Sequence, residues 1–124
     1  MTILEAIGRV NESKPNSILN TMKVKWLSII EWKIMRELVE THEDSDKISY
    51  SGYNEKTPLD TVLLAPAPYD EMYVHWLEAQ IDLTNGEIGK YNNSMSLYNA
   101  EADAFYRYYK RTHKPLQKHS IKCF

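Results

Sequence analysis

The chain has 124 residues, enough for one domain that buries a core without disulfides or a structural metal. Hydrophobic residues make up 43% and charged residues 26%, which excludes wholesale disorder, and no apolar run approaches the ~20 residues of a membrane span. The net charge of −2 conceals segregation: residues 1–36 carry six Lys/Arg against three Asp/Glu, residues 37–103 three against fourteen, and residues 104–124 six against none. This pattern reads either as ordinary solvated faces or as a polarised subunit whose acidic middle meets the basic end of a neighbour. Four Gly and five Pro favour helices over sheets. Residues 1–12 lack the basic-then-apolar layout of a secretory signal, and the lone Cys123 points to a reducing cytoplasm as the place of synthesis.

The first segment predicts a short helix. Thr2 and Glu5 have capping-box spacing, Ile3, Leu4, Ile7 and Val10 form an apolar stripe, and Pro15 ends it by pushing Lys14 out of helical geometry. A long second helix starts between Ser17 and Asn20, each a candidate cap, and runs to about His42. Met22, Trp26, Ile30, Ile34 and Leu38 recur every four residues, widened by Leu19, Leu27 and Val39, while Val24, Ile29, Trp32 and Met35 fall partly outside that face. So wide an arc predicts burial on more than one side, either across the middle of the domain or against another subunit.

Residues 43–68 break the pattern. Lys47–Tyr53 alternate apolar and polar, which predicts a small β-hairpin or a protruding loop, and Ala65-Pro66-Ala67-Pro68 is too stiff for a helix interior. Charge and few apolar anchors predict that residues 44–57 are mobile, with Tyr50 and Tyr53 as exposed contact residues. A third helix begins at Pro68 or Tyr69: Tyr69, Tyr73, Trp76, Gln80 and Leu83 follow a four-three rhythm, with Met72, Leu77 and Ile81 alongside and Asp70, Glu71, Glu78 and Asp82 on its outer side. In the fourth, Ile88, Tyr91, Met95, Tyr98, Ala102, Phe105 and Tyr109 follow a three-four heptad rhythm. Its register differs from that of the third helix, so a break falls at Asn85-Gly86 or at Asn92-Asn93, and the two helices pack as an antiparallel hairpin. The fold class is all-α, about four helices, with residues 1–114 as one helical domain and 115–124 as an extended basic tail. Trp26, Ile30, Trp76, Tyr98 and Phe105 are its expected core.

Signals for chemistry are weak. Cys123 has no assured base beside it, and Gly8, Gly52, Gly86 and Gly89 form no phosphate loop. His42, His75, His113 and His119 are widely separated, without a Glu-x-x-His pair, so no metal, cofactor or enzymatic activity is expected. His42 reads as a polar residue near a helix C-terminus and His75 as the core edge beside Trp76. The stronger signal is a basic run of Arg107, Lys110, Arg111, Lys114, Lys118 and Lys122, interleaved with Tyr106, Tyr108, Tyr109 and Phe124. Cations attract phosphate and aromatic rings stack on bases, yet Phe105 and Tyr109 belong to the heptad seam and the domain is acidic overall.

Several stretches carry a resemblance: Thr2–Ile7 with Lys14-Pro15-Asn16-Ser17, Lys25-Trp26-Leu27, Leu59–Asp70, His75–Asp82, Asn85-Gly86-Glu87, Tyr91–Met95 and Tyr109–Pro115. Together they resemble the small helical head–tail connector, or head-completion, proteins of tailed phages and prophages, over residues 2–115. The resemblance implies a mostly helical subunit that forms a ring, extends the portal below the capsid and receives the tail. Its implied partners are the portal, tail-completion proteins and further copies of itself, without a membrane, with DNA met only in the connector channel. Its implied locations are the host bacterial cytoplasm and then the virion. The interaction residues expected on this reading are Tyr50, Tyr53, Arg107, Lys110, Arg111, Lys114, Lys118 and Phe124. The alternative is a small DNA- or protein-binding regulator of phage origin.

Overall fold

A computed structural model describes residues 1–116. The described residues fold as four α-helices: α1 (Ile3–Ser13), α2 (Asn20–Ile34), α3 (Glu71–Thr84) and α4 (Ile88–Thr112). Helices α3 and α4 form the antiparallel hairpin, and α1 and α2 pack chiefly on α3.

Thr2 and Glu5 make the reciprocal capping box, with Thr2 Oγ1 accepting from Glu5 N at 3.1 Å and Glu5 Oε1 accepting from Thr2 N at 2.9 Å. The buried face of α1 is Ile3, Ala6, Ile7 and Val10. Leu4, expected in that stripe, faces solvent, and the smaller Ala6 takes its inward place.

Helix α2 departs from its expected stripe in three ways. None of the candidate caps works: Leu19 is the N-cap and no side chain caps the helix. The buried ammonium of Lys23 instead ties the helix start down, donating to Asn11 Oδ1 at 2.6 Å and to the Ile18 carbonyl at 3.0 Å. Leu19 and Met22 are exposed and Trp26 is only half-buried, so the inward face is Val24, Leu27, Ile30 and Ile34. Residues 35–39 also leave α geometry for a wider π turn, in which Glu40 N donates to Met35 O at 2.9 Å. Met35, Leu38 and Val39 are all buried there.

The long connection forms no hairpin. After a 3₁₀ turn at Ser45–Lys47 it becomes a strap along the domain. Residues 50–53 lie on α2, as described below. Residues 59–63 then run beside the start of α1, where Ile3 N donates to Thr61 O at 3.0 Å, Leu4 N to Leu59 O at 2.9 Å and Leu63 N to Met1 O at 2.9 Å.

Helix α3 starts two or three residues later than expected, at Glu71, after a turn at Tyr69–Asp70. Of the two candidate breaks, Asn85-Gly86 is used. Gly86 has φ +73°, and the turn satisfies two carbonyls at the end of α3, with Gly86 N on Leu83 O at 3.1 Å and Glu87 N on Asp82 O at 2.9 Å. The heptad seam of α4 buries Tyr98, Phe105 and Tyr109, with Ile88 exposed at its start. Ile30 and Trp76 are buried as expected.

Two carboxylates expected on the outer side of α3 are buried instead. Asp82 is enclosed between the end of α1 and α4, 2.9 Å from Lys14 Nζ and accepting from Ser94 Oγ at 3.1 Å. Asp70 meets the Met1 ammonium at 3.3 Å. Helix α3 is covered on more sides than its charge pattern implied, because α1, α2 and α4 all pack on it. Beyond α4, residues 114–116 run antiparallel to 41–43, with Glu43 N donating to Lys114 O at 2.8 Å and Leu116 N to Thr41 O at 3.0 Å.

Candidate interaction surface

Tyr50 and Tyr53 are not exposed contact residues; both are half-buried against α2. The Tyr50 ring meets Trp32 edge-on at 4.8 Å and Tyr53 at 4.9 Å. Its hydroxyl donates to Ser28 O at 2.9 Å, and Ser28 Oγ accepts from Tyr53 N at 3.0 Å. Gly52, at φ +100°, brings the backbone against Trp32 and Ser28, where an added Cβ would lie 3.6 Å from Trp32 Nε1. The segment binds its own domain because Ser28 and Glu31 offer polar partners on a helix face otherwise made of carbon.

Glu31 is the centre of that attachment. It is fully buried, yet every hydrogen bond it makes is an acceptance: Oε1 from the Tyr73 hydroxyl at 2.6 Å, and Oε2 from the Tyr53 hydroxyl at 2.8 Å and Leu64 N at 2.9 Å. Tyr73 Oη in turn accepts from Ala65 N at 2.8 Å. Burial raises the Glu31 carboxyl above its ordinary range, partly opposed by the donors from Tyr73, Leu64 and Tyr53. Tyr53 and Tyr73 are raised by burial and then by the nearby carboxylate. Tyr50 is pushed up to about 12 by burial. The cluster is a brace: α2, α3 and the strap meet at one carboxylate.

The basic end of α4 is on the surface. Arg107, Lys110, Arg111 and Lys114 are exposed. Arg107 pairs with Asp103 one turn back, while Lys110, Arg111 and Lys114 have no ion partner among the described residues. The interleaved aromatic rings turn inward instead of offering faces to a base. Tyr108 stacks on Tyr69 at 5.0 Å, Tyr109 packs on Phe105 and His113, and the Tyr106 hydroxyl donates to Glu37 Oε1 at 2.7 Å. Lys118 and Phe124 lie outside the described residues.

Beside that end is a groove of about 220 Å³ between α2 and α4, lined by Lys33, Glu37, Tyr98, Asn99, Ala102, Asp103 and Tyr106. It is smaller than the pockets of roughly 300–1,000 Å³ that enclose drug-sized ligands. Its size suits a single side chain of a partner, and its rim mixes carboxylates with a lysine, so it selects neither sign of charge. Burial pushes the Tyr98 phenol up to about 12, with the Glu37 charge adding to it.

The sequence reading missed Glu31, Lys23 and Asp82, the buried charges that organise this domain. Glu31 had a signal: it is the only carboxylate between Glu12 and Glu37, and its helical neighbours Leu27, Ser28, Ile34 and Met35 offer it no cation. No protein-family model, curated protein or solved structure matches the chain. Among the described residues no helix is long and apolar enough to cross a membrane.

Proposed function

We propose that the protein is a structural assembly subunit, the head–tail connector of a tailed phage or prophage, which forms a ring on the portal and links capsid to tail. The observation that carries this reading is the cluster of exposed cations at the end of α4. Lys110, Arg111 and Lys114 have no ion partner among the described residues, whereas the neighbouring Glu40 and Asp44 are paired with Arg36 and Lys47, so these cations are left to meet a partner of opposite charge. The groove of about 220 Å³ is of a size to receive one side chain of a partner. The resemblance over residues 2–115 supplies the phage context, with the portal and tail-completion proteins as partners and the virion as the final location.

The test is negative-stain microscopy of the protein mixed with its portal. A ring on the portal is expected, and Lys110→Glu with Arg111→Glu should abolish it while the circular dichroism spectrum stays unchanged. A portal left bare by the folded wild-type protein overturns the reading. A second reading, a small DNA-binding regulator, is favoured only by the exposed cations of α4. It requires duplex binding that survives physiological salt, since phosphate contacts alone weaken steeply as salt rises.

A further inference from the structure

Two separate faces of this domain leave large apolar side chains in water. On α2, Met22 and Ile29 are 42% and 48% exposed and lie two turns apart on one side of the helix. Lys25 and Lys33 share that side, both exposed and neither in an ion pair among the described residues. The second face is built where the strap crosses the start of α1. Leu4, Leu59 and Val62 are 57%, 44% and 67% exposed, and the hydrogen bond from Leu4 N to Leu59 O and the bridge between Thr2 and Val62 hold them side by side. Its carboxylates are Glu5 and Asp60, both exposed and neither in an ion pair among the described residues; Arg9, one turn beyond Glu5, is paired with Glu71. Gly8, one turn after Leu4, has open space where a side chain would stand, so the surface there admits close approach.

We infer that these two faces bind each other between copies of the chain: Met22, Lys25, Ile29 and Lys33 of one copy against Leu4, Leu59, Asp60 and Val62 of the next. Each face supplies two or three apolar side chains and two charges, and the charges are of opposite sign. Pairing the α2 face with itself would oppose lysine to lysine, and pairing the other face with itself would oppose carboxylates. A second copy is therefore the complementary occupant, and the contact is heterologous, leaving the pair one free face of each kind. Such a contact propagates, closing into a ring if the rotation between copies allows it. The inference rests on the reading of the chain as a ring-forming subunit and names the surfaces that reading needs.

The experiment uses two face-blocked variants of the full chain. Lys25→Glu with Ile29→Asp spoils the α2 face; Asp60→Lys with Val62→Asp spoils the other. All four side chains are exposed, so both proteins should keep the wild-type circular dichroism spectrum. In sedimentation velocity at low salt the wild type should grow beyond a dimer, and each variant alone should stay monomeric. An equimolar mixture should form a 1:1 dimer that grows no further, because one good face of each kind remains. Salt should weaken it. The inference is overturned if the mixture stays monomeric, if either variant alone assembles like the wild type, or if the wild type itself does not self-associate. Portal binding is scored separately: a 1:1 dimer in the mixture with a bare portal would sink the connector reading and leave the contact standing.

Discussion

The Tyr73 hydroxyl donates to Glu31 Oε1 at 2.6 Å across 42 positions of sequence, and the same oxygen of Tyr73 accepts from Ala65 N. One phenol thus satisfies a buried carboxylate and a buried amide together. Tyr73→Phe removes both bonds while keeping the ring. It should cost about 1–3 kcal/mol in urea unfolding, the range for leaving a buried polar group unpaired. An unchanged midpoint would mean that water replaces both partners.

Glu31 also sets a pH dependence. Its carboxyl is raised in the folded state, so the folded chain holds this proton more tightly than the unfolded chain does. The stability this contributes is present below the ordinary value of 4.5 and is lost as pH rises through the higher folded value. Glu31→Gln lacks that titration and leaves a donor facing the Tyr73 hydroxyl, so it should be less stable than wild type at every pH. The gap should narrow as pH rises above 4.5. Denaturation of both proteins across a pH series checks this, and a gap that widens with pH would refute it.

Alanine at two glycines should have opposite effects. Gly86 sits at φ +73° in the α3–α4 turn with open space around it, so Gly86→Ala should cost about 1–2 kcal/mol from backbone conformation alone. Gly8 lies inside α1, also with open space, so Gly8→Ala should stabilise by roughly 0.5–1 kcal/mol. Thermal melts of the two variants should move in opposite directions.

Phe105 is buried in the α4 seam against Tyr69, Tyr106 and Tyr109. Phe105→Ala should cost about 3–5 kcal/mol, through lost burial and the cavity left behind. A loss below about 1 kcal/mol would mean that the hairpin repacks around the void.

The regular parts of this fold were legible in the sequence because their signals are local. The capping box at Thr2, the heptad from Tyr98 to Tyr109 and a break at Asn85-Gly86 or Asn92-Asn93 each need only a few adjacent positions, though choosing between the two breaks needs the structure. The strap was not legible, because what fixes Tyr50, Tyr53 and Leu64 is hydrogen bonding to Ser28 and Glu31, more than twenty residues away. The outward turn of Met22 and the inward turn of Asp82 failed for a related reason. Periodicity places residues on a face of a helix but does not say how many neighbours cover it. Of the interaction residues, Arg107, Lys110, Arg111 and Lys114 are where a surface role needs them, while Tyr50 and Tyr53 are spent on the domain itself.

The short antiparallel pairing of residues 114–116 with 41–43 fixes how the domain carries mechanical load. Tension drawn on the chain beyond Leu116 reaches Thr41 through a hydrogen bond before it reaches the last turn of α4. From Thr41 it runs through the π turn into the axis of α2, whose buried side is anchored by Leu27, Ile30 and Ile34. The last turn of α4 is therefore expected to peel from its C-terminal end only after the two hydrogen bonds of this pairing have opened.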